Sequence, residues 1–349
     1  MSEKLKNKNE FDNVSGSQEK YNTVNALARI DKSENENHAM QSLFNSLEKI
    51  NKFKKFNFLS KLNFKQAKIS IVNRIKNLRK ETRVLERVWK IVELSRNEER
   101  PKTIDYINGI FSDFIELSGD RLSSDDKSIT AGFGKIDGKT VAVIGHNKGK
   151  DIKERIKYNF GSSNPSGYRK SRRIMELADR FDFPVITFID TPGANPAIEA
   201  EDNGQAGAIA KNIEFMFGLK VPSIVVLIGE GGSGGALALA IGNYIMMLEN
   251  ATYSVISPEG CAAILWKDQS ATKQAASMLK LTAKDLLNLK VIDKIIHEPL
   301  GGAQNEPARM IKIVRDNLLI ALSKFENASG EELKAERTKK YEILGFYEK

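Results

Sequence analysis

The 349-residue chain has one cysteine, Cys261, which excludes a disulfide framework and any cysteine-rich zinc site built from this chain alone. That thiol reads as a small buried hydrophobe. No run of about eighteen apolar residues occurs to suggest a membrane span. The N-terminus also lacks the apolar core of a secretory signal, and the eight acidic side chains in the first 48 residues argue against a transit peptide. The expected location is therefore the cytoplasm, or a plastid stroma. Acid is also missing between Glu48 and Glu81, where ten basic residues from Lys52 to Lys80 alternate with Phe53, Phe56, Phe58 and Phe64. The formal net charge of +9 is N-terminal: residues 1–100 carry 22 Lys+Arg against 13 Asp+Glu, and the rest carries 32 of each. Such a segment suits RNA or an anionic surface. A flexible, lysine- and asparagine-rich arm leading into a helix accounts for it better, and nucleic acid is not the expected partner.

What is present is a chain with 41% hydrophobic residues, enough for a sizeable core. Residues 1–65 read as a basic, aperiodic arm and 66–100 as a docking helix, with Ile71, Ile75, Leu78, Leu85, Val88 and Val92 on one face. Residues 101–349 read as the catalytic domain. After Pro101, Thr103 is a candidate helix cap, with Ile104, Ile107, Phe111 and Phe114 as an apolar face. Short apolar runs then end in glycine-bearing loops: TVAVIGHNKG, FPVITFIDTPG, VPSIVVLIGEGG and ATYSVISPEG. These predict buried strands. The second and third repeat at 38 residues, Pro184, Ile186, Ile189 and Gly193 preceding Pro222, Ile224, Leu227 and Gly231. Helices are predicted over 168–181, 204–217 and 233–242, giving an α/β protein with ligand chemistry at strand-to-helix junctions.

The stretch VVLIGEGGSGGALALAIG, residues 225–242, fits three signatures. As G-x-S-x-G it makes Ser233 a nucleophile, with Asp293 and His297 following in hydrolase order. As G-x-G-x-x-G it makes Gly229, Gly231 and Gly234 a dinucleotide loop with Glu249 as the ribose carboxylate, although at least two strands precede it. A phosphate loop is excluded, because no Lys-Ser or Lys-Thr follows the glycines. As an oxyanion hole it needs only a buried strand, a glycine turn and a helix start. Elsewhere, His146 reads as a structural hydrogen-bond partner, Glu259 as a loop-orienting carboxylate, and Leu265 and Trp266 as packing residues.

Several blocks in order, LSGDR (117–121), IGHNKG (144–149), NFG with GYRK (159–170), FIDTPGA (188–194), IGEGGSGGALA (228–238), YSVISPEGCAAILW (253–266) and EPLGGA (298–303), make residues 70–345 resemble the α subunits of acetyl-CoA carboxylase carboxyltransferases. The resemblance implies a crotonase-like (ClpP/crotonase) spiral of β-β-α units. It implies carboxyl transfer from biotin, held on a biotin carboxyl carrier protein, to acetyl-CoA, giving malonyl-CoA for fatty acid synthesis. Biotin would take the methyl proton, so no protein base is needed.

The implied partners are a β subunit with its own zinc ribbon, in an α2β2 assembly, together with the carrier protein and biotin carboxylase; no metal is expected in this chain. The resemblance assigns the N–H groups of Gly234 and Gly235 to the biotin ureido oxygen. Gly231 and Gly232 then shape the turn, Gly193 and Ala194 form a facing wall, and Ser233 becomes a helix N-cap candidate. The run containing Arg169, Lys170, Arg172 and Arg173 is expected to meet the phosphates of CoA or an acidic carrier surface. The chain departs from the family at Asn195 and Ala197, where tyrosine and glycine are usual, and at Gly207. Two other readings stay open: a free-standing crotonase-fold acyl-CoA enzyme or hydrolase using Ser233, and an RNA- or surface-binding module acting through the arm.

Overall fold

The computed structural model describes residues 41–43, 45–46 and 60–345. Most of the arm expected over 1–65, with Phe53, Phe56 and Phe58, lies outside the described residues. The chain divides into two compact units, Met1–Val84 and Leu85–Lys349, and the boundary falls within the long helix α1 (Ser60–Ser95). In the second unit the predicted periodicity holds, with Val88 and Val92 buried against Ala276 and Leu281.

Helix α2 (Thr103–Ile110) is capped by Lys102, whose N–H donates to the Asp105 carboxylate at 2.8 Å. Thr103 is therefore not the cap: its hydroxyl donates to the His146 carbonyl at 2.5 Å and ties the helix to the sheet. The buried face of α2 is Tyr106, Ile107 and Ile110, while Ile104 is exposed and Phe114 falls in the next strand.

Strands β1 (Ser112–Glu116), β2 (Ile129–Ile136) and β3 (Lys139–His146) run antiparallel. β3 then begins a parallel series with β4 (Val185–Thr191), β5 (Ser223–Gly232), β6 (Tyr244–Leu248) and β8 (Lys294–Ile296). The short β7 (Thr252–Ser254) pairs with the end of β5. Strands β4 and β5 are almost wholly buried, as parallel strands covered on both faces must be, which explains their unbroken apolar runs.

The 38-residue repeat is the register of the β4–β5 ladder: Ile186 pairs with Ile224 and Ile189 with Leu227. Past that point the register slips, and Thr191 faces Gly231. Asp190 and Glu230 sit at this irregularity.

Helices connect and cover the sheet: α3 (Ile152–Lys157), α4 (Pro165–Arg180), α5 (Ile198–Asp202), α6 (Gln205–Gly218), α7 (Ser233–Leu237), α8 (Pro258–Leu265), α9 (Thr272–Met278), α10 (Ala283–Asn288), α11 (Pro307–Ser323) and α12 (Gly330–Glu342). α7 is shorter than expected, because the chain turns before Gly242, which packs against the Ser223 carbonyl at the start of β5. The run ATYSVISPEG gives a strand of only three residues, after which Ser257 caps α8 by accepting the Gly260 N–H. At the far end Arg337 is fully buried and donates to the carbonyls of Phe217, Leu219 and Val221 and to Asn243, fixing α12 to the body.

Candidate active site

The parallel strands β3, β4 and β5 end together, and the glycine turn leaves β5 at that edge. Close approach explains its composition. A Cβ on Gly229 would lie 2.7 Å from the Asp190 carboxyl carbon, and one on Gly232 would lie 2.8 Å from the Gly193 nitrogen. On Gly235 it would come within 2.7 Å of the Gly193 carbonyl carbon, nearer still to the Ala194 nitrogen, and 3.0 Å from the Tyr168 hydroxyl. Gly193 and Ala194 thus stand directly against the turn. Gly234 differs: its nearest neighbour would be Ile209 at 3.7 Å.

Ser233 is exposed and takes φ +50°, a left-handed conformation costly for a residue with a Cβ. It is the first residue of α7, not its cap; Gly232 occupies the cap position and no side chain caps the helix. The four N–H groups of a first helical turn have no intrahelical acceptor, so here they depend on whatever the turn faces.

Around the turn runs a chain of alternating charges that the sequence reading missed. Arg96, just after α1, donates to Glu230 at 2.7 Å and to both Glu259 oxygens at 2.7 and 3.1 Å. Lys148 pairs with Glu230 and, at 3.3 Å, with Asp190. The Glu230 N–H donates to Asp190 at 3.0 Å. Burial works against the ionised form of Asp190, but Lys148, Lys102 and the Glu230 N–H outweigh it and hold the carboxyl below its usual range. Burial likewise opposes the charge on Lys148, and Asp190 and Glu230 overcome it and raise its pKa. A shallow cleft opens beside the turn, lined by Arg96, Glu230, Gly231, Gly232, Ser254 and Ile256 among others. The missed signal was available in outline: Lys148, Asp190 and Glu230 each stand at the end of an apolar strand run, where an isolated charge needs a partner.

His146 ends β3 fully buried, and burial pushes its pKa down to about 4, so the ring is neutral. The carbonyls of Phe188 and Gly235 approach the ring, and the His146 carbonyl accepts from the Thr103 hydroxyl, in line with a structural hydrogen-bonding role. Glu259 is held by Arg96, in line with a loop-orienting role. Trp266 packs near buried Cys261, while Leu265 is exposed.

Three of the four basic side chains of the run on α4, Arg169, Lys170 and Arg173, are engaged by the loop over 117–126. Lys170 is fully buried and donates to Asp125 and to the Asp126 carbonyl. Arg169 is taken by Asp120 and the Asn203 carbonyl, and Arg173 by the carbonyls of Leu117, Ser118 and Gly119. Arg172 pairs along its helix with Glu176. These donors hold the loop over 117–126. Asn195 has a comparable role: it bonds Asn164 through its side chain and Ser163 through its N–H, joining the 193–197 loop to the start of α4, while Gly207 has open space around it.

The hydrolase triad is not assembled. Asp293 is engaged by the Ile245 N–H and Lys340, and exposed His297 faces Glu249. That same pairing occupies the carboxylate needed for the dinucleotide reading. Among the described residues no group of His, Cys, Asp and Glu could hold a metal ion, and no helix is long and apolar enough to cross a membrane.

With this geometry in place, residues 35–345 match the family model described as acetyl co-enzyme A carboxylase carboxyltransferase-like. The chain belongs to this carboxyltransferase family. Among its relatives is the acetyl-coenzyme A carboxylase carboxyl transferase subunit alpha of Thermus thermophilus, 50% identical over 283 residues that make up 81% of this chain and 90% of the relative. The subunit of the same name from Geobacter sulfurreducens is 55% identical over 259 residues, 74% of this chain and 81% of the relative. In structure this carboxyltransferase chain is similar to transcarboxylase 12S, with TM-score 0.54 and 16% identity over 65% of this chain and 42% of that one. It is also similar to a Pseudomonas malonate decarboxylase hetero-dimer, with TM-score 0.55 and 14% identity over 69% of this chain and 96% of that one. At such identities the likeness concerns the fold, and the crotonase-like architecture expected from the sequence is the one the chain has.

Proposed function

We propose that the chain is the α half of an acetyl-CoA carboxylase carboxyltransferase. With a β-type chain it passes a carboxyl group from biotin on a carrier protein to acetyl-CoA, and the malonyl-CoA formed feeds fatty acid synthesis. The observation that carries this reading is the glycine turn seated on the 193–194 peptide in a chain of this family, because a turn so packed aims backbone donors rather than a side chain.

The residues fit biotin as a ligand. Space is open at Gly234, and the first-turn N–H groups of α7 have no side-chain cap. When bound, biotin supplies a ureido ring that carries the carboxyl group and accepts the methyl proton. The N–H groups of Gly234 and Gly235 would hold the ureido oxygen and stabilise negative charge there, and losing one such donor typically costs ~10²–10³ in rate. Gly232 keeps the turn against Pro192 and Gly193, Gly231 lets it pass close to Tyr253 and Leu227, and Gly193 with Ala194 forms the opposite wall. No side chain here is free to act as base: His146 is sealed in its neutral form, and Asp190, Glu230 and Glu259 are ion-paired.

The remaining donors of the site belong to the β-type chain, which carries the zinc ribbon, in an assembly of two α and two β chains that works with biotin carboxylase in the cytoplasm. Val255, Ile264 and Leu265 are exposed apolar residues on this body that suit a partner chain.

One observation favours a second reading. Ser233, exposed and left-handed at a strand-to-helix turn, is where a serine hydrolase would put its nucleophile. The two readings separate on malonyl-CoA decarboxylation in the presence of free biocytin, run with this chain alone, with its β-type partner, and with Ser233→Ala. Turnover that needs both chains and survives Ser233→Ala supports the carboxyltransferase. Release of free CoA and malonate by this chain alone, abolished by Ser233→Ala, supports the hydrolase.

A further inference from the structure

Glu230 is the last residue before the glycines of the turn, and it is restrained from three directions. Arg96 Nε donates to one carboxylate oxygen at 2.7 Å, Lys148 pairs with the other, and its own N–H donates to Asp190 Oδ1 at 3.0 Å. Each restraint is itself fixed. Arg96 is gripped from the far side by both oxygens of Glu259, and Lys148 by Asp190 at 3.3 Å. The chain Glu259, Arg96, Glu230, Lys148, Asp190 therefore joins the segment after α1, the loop after β3, the ends of β4 and β5, and helix α8.

Its location matters more than its strength. Glu230 stands where the β4–β5 ladder slips register; beyond the slip Thr191 meets Gly231 and β7 pairs with Glu230 to Gly232, while Ser233 to Gly235 have left the sheet for α7, so the rest of the turn is aimed from the strand end that carries Glu230. Apolar side chains would serve stability there at least as well, because ion pairs removed from water recover little net energy. What fixed charges supply is direction: an arginine anchored by two bonds to Glu259 and a lysine held at two points define where the Glu230 carboxylate sits.

We propose that Glu230 is a positioning residue for carboxyl transfer: clamped by Arg96, Lys148 and Asp190, it sets the register in which the 231–235 turn presents its backbone N–H groups. Glu259 and Arg96 extend the clamp to α8 and to the chain after α1. This inference rests on the carboxyltransferase reading.

The test uses the assembled α/β complex in biocytin-dependent malonyl-CoA decarboxylation, with Glu230→Gln, Glu259→Gln, Arg96→Lys and the double variant Arg96→Lys/Glu230→Gln. Glutamine keeps the shape of Glu230 and loses the charge that holds Lys148. Misplacing the turn by a fraction of an ångström should lower kcat about 10–100-fold for Glu230→Gln, with KM for malonyl-CoA within about twofold and the melting temperature nearly unchanged. Glu259→Gln, at the partly exposed end of the chain, should lower kcat about threefold to tenfold, and the double variant should be little worse than Glu230→Gln alone. Unchanged kcat in Glu230→Gln, or an effect confined to KM, overturns the proposal. If Glu230→Gln fails to assemble, Glu259→Gln and Arg96→Lys decide, and wild-type kcat in both overturns it. An inactive wild-type complex would instead remove the carboxyltransferase reading, and this inference with it.

Discussion

Replacing Gly235 by alanine adds one methyl group at the most confined point of the turn. Ordinary carbon contacts begin near 3.4 Å, whereas this methyl would sit 2.7 Å from the Gly193 carbonyl carbon and 3.0 Å from the Tyr168 hydroxyl. The tightest neighbours are backbone atoms of the half-exposed loop that follows β4, so a side chain cannot rotate away and either the turn or that loop must shift. Overpacking of this kind costs ~1–3 kcal/mol. In a domain of this size that lowers the melting temperature by roughly 2–10 °C. A shift of ~1 Å in the donors should reduce turnover by about 100-fold, and by up to ~10³ if one donor is lost. Gly234→Ala is the matched control for stability. Its methyl meets nothing nearer than 3.7 Å, and Gly-to-Ala within a helix is favourable by up to ~1 kcal/mol, so its melting temperature should hold or rise. The assays are calorimetry and malonyl-CoA decarboxylation by the α/β complex. Gly235→Ala with wild-type melting and more than a third of wild-type turnover would refute the close-packing argument.

Other consequences follow from single residues. Ser233→Gly removes the Cβ from a left-handed position and should stabilise the chain by ~1 kcal/mol while leaving the complex active, read by melting temperature and turnover. Glu298 accepts both Arg100 donors at 2.8 Å, and Arg100 is buried; Glu298→Gln leaves that guanidinium underpaired and should cost ~3–5 kcal/mol in denaturant titration. His146 has a folded pKa of about 4, below the unfolded 6.5, so only the unfolded chain binds its proton between those values. Its contribution is therefore complete above pH 6.5 and declines as pH falls toward 4, by ~3 kcal/mol in all. Acid titration of His146→Leu should show a shallower loss over that window. Lys170→Met leaves the Asp125 and Asp126 contacts unmet, and amide exchange in the 117–126 loop should quicken.

Apolar runs and repeats carried much of the fold into the sequence. β3, β4 and β5 are carried by apolar runs, and the 38-residue echo is the hydrogen-bonding register of β4 and β5 read along the chain. β1, β2 and β6 escaped notice because the exposed pattern of β1 and the glycines of β2 mimic loops, and YIMML is too short to separate from a helix by periodicity. The glycines were legible as a turn, but which of them tolerates a side chain depends on backbone from β4 that lies 38 or more residues away. Charge was the least legible layer. Arg169, Lys170 and Arg173 look like a ligand-binding face until the acids and carbonyls of the 117–126 loop are folded over them. Arg96 gives no local sign of its partners, since Glu230 and Glu259 are 134 and 163 residues distant.

The central claim is that this chain contributes backbone donors, not a nucleophile, to a carboxyl transfer completed by a second chain. It is tested most directly by following labelled carboxyl from carboxylated biotin carrier protein to acetyl-CoA, with this chain, its β-type partner, and both together. The account predicts labelled malonyl-CoA only with both chains, at an undiminished rate when Ser233 is alanine. Labelled product from either chain alone, or release of free acetate from acetyl-CoA that stops with Ser233→Ala, would contradict it.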